Sequence, residues 1–78
     1  MTLDELIELT KEVESQDPID WGMLNISEDE ALRLIALDVM EMFQSYQIAS
    51  EKEVVMLVTI TKLILENFVL NLQLHNKR

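Results

Sequence analysis

Apolar side chains return every three or four residues through most of this chain, in three stretches separated by polar breaks. In the first, Leu3, Leu6, Ile7, Thr10 and Val13 fall on one side of a 3.6-residue helix, which predicts a helix over about residues 3–14. In the second, Ala31, Leu32, Ile35, Ala36, Val39, Met40, Met42, Phe43 and Tyr46 cover half a circumference and predict a helix over about 28–46. The third, about 51–75, differs in kind: from Val54 to Leu74 its only continuous polar stripe is Thr59, Lys62, Glu66 and Gln73, and apolar residues take the rest. Each stretch has its own start signal. Thr2, Ser27 and Ser50 each stand three residues before a glutamate, namely Glu5, Glu30 and Glu53. At that spacing the hydroxyl accepts from the third helical N–H while the carboxylate reaches back to the N–H of the cap. The expected architecture is an all-α three-helix domain made of residues 1–78.

A helix that is apolar on nearly every side is normally buried on several sides, and two shorter helices do not cover it. Two rows run along the third helix with alternating spacings of four and three: Met56, Ile60, Leu63, Asn67, Leu70 and Leu74 make one, and Val54, Val58, Thr61, Leu65, Phe68 and Leu72 make the other. One row serves the first two helices and the other serves a second copy, so a dimeric helical bundle is expected. Spacing alone does not distinguish the rows; we assign the Met56 row to self-association. Asn67, at a core-like position of that row, costs stability but favours a register in which its amide is paired, its own symmetry mate being one partner.

Two features fall outside the stripes. Leu34 and Leu37 sit among Glu30, Arg33, Asp38, Glu41 and Gln44 on the polar side of the second helix, where single exposed leucines need no explanation but a neighbouring i,i+3 pair beside acids is a candidate contact patch. Between Ser15 and Ile26, Asp17-Pro18 offers a cap and a first-turn proline, predicting a short helical turn near 18–23. Ile19, Trp21, Met23, Leu24 and Ile26 make this connection too apolar to float in water, so it is expected to fold back as a lid, with Ile26 packing near Ala31. Trp21 is either a core plug or an interface anchor, and joins Leu34 and Leu37 as a candidate partner-binding residue. The short link 47–49 points to antiparallel neighbours.

Composition tightens this picture. A 78-residue chain with no cysteine and a single histidine, His75, lacks a disulfide, a thiolate site and a multi-histidine metal site. So small a core is marginal alone, which leaves self-association as the available reinforcement. The formal charge of −9 is unevenly placed: residues 1–30 carry −9, residues 31–53 carry −2 and residues 54–78 carry +2. Such a chain repels nucleic acid and anionic membranes and attracts a basic protein surface. Asp4, Glu8 and Glu12 repeat every fourth residue, either as a solvated face or as a ridge for a basic partner. Lys62, Glu66, Asn67 and Asn71 interrupt the apolar stretch, so no membrane span is expected. The start Met1-Thr2-Leu3-Asp4 lacks a secretory pattern, and a cytoplasmic location follows as the expectation.

No glycine-rich phosphate loop, Ser/His/Asp set or Glu-x-x-His pair is present, and the carboxylates lie at solvent-face spacings rather than as a pair in a cleft. The chain is therefore expected not to be an enzyme and to need no cofactor or metal. The leading expectation is a small acidic, helical, protein-binding homodimer: an adaptor, inhibitor or assembly factor for an unidentified protein. One alternative is a nucleic-acid mimic that occupies a basic groove through Asp4, Glu5, Glu8, Glu12 and Glu14. Another is a structural subunit whose apolar rows are filled by a different chain.

Overall fold

The computed structural model describes residues 1–22, 24–43 and 50–76, and its elements in order are α1 (Leu3–Gln16), α2 (Glu28–Phe43) and α3 (Glu51–Asn76). This is the all-α, three-helix domain that the hydrophobic pattern predicts. The expected last turn of α2 to Tyr46 and the link 47–49 lie outside the described residues, as do Met23, Lys77 and Arg78.

The helix starts fall where the hydroxyl residues stand. Leu6, Ala31 and Val54 donate their N–H groups to the carbonyls of Thr2, Ser27 and Ser50 at 3.1, 3.0 and 3.0 Å. Thr2 Oγ1 also accepts from the Glu5 N–H at 3.1 Å, and Ser27 Oγ accepts from the Glu30 N–H at 3.3 Å, so each satisfies one of the donors that a helix leaves unpaired. The reciprocal arm takes another form at α1, where the Thr2 hydroxyl donates to Glu5 Oε1 at 3.3 Å.

The helices run up, down and up. Lys11 Nζ near the end of α1 meets Asp29 Oδ1 at the start of α2, at 3.0 Å. Leu32 early in α2 shares a core cluster with Leu65 of α3, while Phe43 at its end lies beside Glu53 and Met56. Their lengths do not match. At ~1.5 Å per residue, α3 spans about 39 Å, whereas α1 and α2 span only about 21 and 24 Å. The chain measures 44 × 24 × 16 Å. The least of these dimensions is that of two helical layers, since axes ~8–10 Å apart plus a Cα radius of ~2.3 Å on each side give about 13–15 Å. α1 and α2 form one layer and α3 alone forms the other.

Between the layers, Leu6, Ala36, Val39, Met40, Leu57 and Val58 make one core cluster, and Ala31, Leu32 and Leu65 make a second. Thr10 and Thr61 are also fully buried. Their hydroxyls donate to the carbonyls one turn back, Leu6 and Leu57, each at 2.7 Å, so neither polar group is left unpaired. Of the two rows read along α3, the second turns inward in its middle: Val58, Thr61 and Leu65 are buried, Val54 and Leu72 half-buried and Phe68 exposed, while Leu57 and Val69, which belong to neither row, complete the buried side. The intramolecular row is thereby identified.

The connection between α1 and α2 departs from expectation. Among its described residues there is no helical turn near 18–23; the backbone is open, with a single turn in which the Leu24 N–H donates to the Trp21 carbonyl at 3.2 Å. Gly22 occupies the left-handed region at φ +58°, and its N–H donates to Asp20 Oδ1 at 2.9 Å. The reason lies in what must be covered: Ile19 and Trp21 both pack on the Ala31, Leu32 and Leu65 cluster, whereas residues two apart stand on nearly opposite sides of a helix. A helical turn would have splayed them. Ile26, expected near Ala31, is 41% exposed.

Candidate interaction surface

The polar stripe of α3 faces its own chain. Lys62 is only 7% exposed, and its ammonium donates to Asp17 Oδ2 and to Glu66 Oε1, each at 2.7 Å. The Asp17 bond, then the Glu66 bond, hold its pKa above the usual lysine value against the opposing effect of burial. About two turns beyond Glu66, Gln73 Nε2 donates to the Asp20 carbonyl at 2.6 Å. Thr59 bonds back to the Val55 carbonyl at 2.8 Å. Two side chains of the polar stripe, Lys62 and Gln73, thus tie down the α1–α2 connection, while Thr59 bonds within its own helix.

With the Val58 row facing the core and the polar stripe facing the connection, the side of α3 left to solvent is apolar. Met56, Leu63, Leu70 and Leu74 are 58%, 57%, 58% and 64% exposed. Asn67 is exposed between them and Ile60 is half-buried. At ~100° per residue these positions centre on the side of α3 opposite Leu65. Ile64 and Phe68 flank them, both partly exposed. At the N-terminal end of the row, Phe43, Glu53, Met56, Leu57 and Ile60 line a notch of 170 Å³.

The other candidate residues do not join this face. Leu34 stands on the outside of α2, 65% exposed, and Leu37 is half-buried. Asp4, Glu8 and Glu12 are exposed on α1. Trp21 turns inward onto the second core cluster, and its indole N–H is buried without a hydrogen-bond partner.

A carboxyl pair escaped the sequence reading. Glu14, although it carries a carboxyl, is buried, and it neighbours Glu28 at the start of α2. A proton shared with the Glu14 carboxyl, then burial, then the negative charges of Glu14 and Asp29, push Glu28 up to about 7. The Trp21 indole favours the charged form of Glu28, yet its N–H does not reach hydrogen-bond geometry. Lys11, Glu14, Ser15, Pro18, Glu28 and Asp29 line an open cleft of 320 Å³ there. Glu14 and Glu28 are brought together by the antiparallel pairing of α1 and α2, and no local spacing announces them. The i,i+4 pair of Lys62 and Glu66 was legible, whereas the Asp17 partner of Lys62, 45 residues away, was not.

Among the described residues no group of three His, Asp or Glu side chains is placed to hold a metal ion, and no helix is long and apolar enough to cross a membrane. Comparison with known proteins found no matching family model, no matching curated protein and no matching solved structure.

Proposed function

We propose that this chain is a small protein-binding protein of the cytoplasm that works as a homodimer joined through α3, as an adaptor, inhibitor or assembly factor. The supporting observation is the outward row Met56, Leu63, Leu70 and Leu74, each more than half exposed on the side of the helix opposite the core. With Ile64 and Phe68, the exposed part of this face amounts to about three fully exposed residues per protomer. At ~1.5–3 kcal/mol for each large apolar side chain removed from water, two protomers gain about 9–18 kcal/mol by covering it. Association costs about 4–15 kcal/mol in lost freedom, so the face is of a size at which a dimer forms. The ridge of Asp4, Glu8 and Glu12 and the exposed Leu34 stay clear of that face and serve a second protein.

Sedimentation velocity at micromolar concentration tests the reading. The wild-type chain is expected at twice 9.1 kDa, and Leu63→Glu with Leu70→Glu is expected at 9.1 kDa with its helical signal retained. A wild-type chain that is folded and monomeric at that concentration would end it. Recovery only as a complex with a different polypeptide, and insolubility alone, would replace it with the hetero-subunit alternative.

A further inference from the structure

We infer that two copies of α3 pair in parallel and in register, with the two Asn67 side chains facing each other across the dimer axis. This rests on the proposed homodimer and adds its geometry. Along the outward row the spacings alternate four and three, so that Met56, Leu63 and Leu70 occupy one class of heptad position (d) and Ile60, Asn67 and Leu74 the other (a). In a parallel in-register pair each a residue meets its own copy. In any antiparallel pair an a residue meets a d residue, and every d residue here is Met56, Leu63 or Leu70. Asn67 then faces an apolar side chain twice per dimer, and each desolvated amide loses its water without gaining a partner. A parallel pair shifted by one heptad sets Asn67 against Ile60 or Leu74 with the same result. One arrangement alone pairs the amide, and Leu at two of the three d positions with β-branched Ile60 at an a position suits two strands.

Three further observations fit a second copy as the occupant. Asn67 is exposed and makes no hydrogen bond among the described residues, so its amide is available. In a chain of net charge −9, the segment 54–74 carries only Lys62 and Glu66, which bond each other within the polar stripe, so two like-charged molecules meet here without opposing charges. Both neighbouring helices lie in the other layer, and Met56, Leu63, Leu70 and Leu74 are each more than half exposed along about 27 Å of helix at ~1.5 Å per residue.

The chain has no cysteine, so single substitutions at exposed positions beyond the two ends of the row, Lys52→Cys and His75→Cys, each accept one spin label. Dipolar distance measurements on each labelled variant, alongside sedimentation of the same sample, read orientation and mass separately. Parallel pairing gives two short distances, 52 to 52 and 75 to 75, each one interhelical spacing of ~8–10 Å plus the label arms. Antiparallel pairing separates both label pairs by about 35 Å of helix rise. A dimeric mass with long distances overturns the orientation and leaves the homodimer standing. A monomeric mass without dipolar coupling overturns both. Asn67→Leu tests the cause: it is expected to keep the dimeric mass while broadening each distance into short and long populations. A single short population unchanged by Asn67→Leu would remove Asn67 as the determinant.

Discussion

Replacing Lys62 by Met separates two views of the α3 polar stripe, as a water-facing edge or as a clamp. Met keeps most of the aliphatic stem, so the packing of α3 is largely preserved and only the ammonium is lost. With it go the bonds to Asp17 and Glu66, both 2.7 Å long. Charge-assisted bonds reach ~1.5–3 kcal/mol each when fully buried. Here the Asp17 side chain is 80% exposed, so that arm resembles a surface pair worth ~0.2–1 kcal/mol. The Glu66 arm is a partly buried i,i+4 pair, at or somewhat above the ~0.3–0.5 kcal/mol of such pairs on a surface. Neither carboxylate is stranded, since both reach water. The expected loss is about 0.5–1.5 kcal/mol, a fall in Tm of roughly 2–12 °C for a domain of this size. Circular dichroism melting at one fixed protein concentration measures it, because self-association makes Tm depend on concentration. Trp21, the only tryptophan, lies in the clamped connection, and its emission is expected to shift as the connection loosens. A Tm that stays or rises, with unchanged emission, refutes the clamp and returns Lys62 to the solvent face.

Three other perturbations have defined outcomes. Leu65→Ala, in the second core cluster, should cost about 2–5 kcal/mol, whereas Leu63→Ala on the outward face should change the stability of the dilute protomer by less than about 0.5 kcal/mol; equal losses in urea titrations would contradict the inward assignment of the Leu65 row. Gly22→Ala places a Cβ at φ +58° and 3.3 Å from Gln73 Nε2, and a loss of about 1–2 kcal/mol is expected, with an unchanged urea midpoint counting against the turn. Folding raises Glu28 from 4.5 to about 7, so between those values the folded chain holds more of the shared proton than the unfolded chain. Stability therefore rises as pH falls from about 7 toward 4.5, and the destabilisation is complete above 7. Glu14→Gln should flatten this dependence by donating a hydrogen bond in place of the shared proton, and a melting temperature independent of pH in the wild type would dismiss the pair.

An apolar row is a statement about a helix face, and both rows of α3 satisfy it equally. What separates them is the packing of side chains far apart in the chain. Thr61 and Leu65 are buried against α1 and α2, and Lys62 on the adjacent side is anchored by Asp17, which fixes the rotation of α3 about its axis. Once that rotation is set, Met56, Leu63 and Leu70 have nowhere to face but outward. The same reasoning explains Trp21. Its size and amphipathic character suit a core or an interface, and only the non-helical path of the connection lets it turn inward with Ile19.

By itself, the sequence determined three helices, their starts at Thr2, Ser27 and Ser50, and the excess of apolar surface on the last of them, because caps and periodicity act over one or two turns. It also determined that charge is concentrated before residue 31, since that is a matter of counting. Tertiary structure alone decided which side of α3 is covered, that Lys62 and Gln73 hold the connection, that residues 18–21 are not helical, and that Glu14 meets Glu28. Each of these depends on contacts between segments distant in the chain, where the burial of one surface competes with the burial of another, and no local spacing encodes the result.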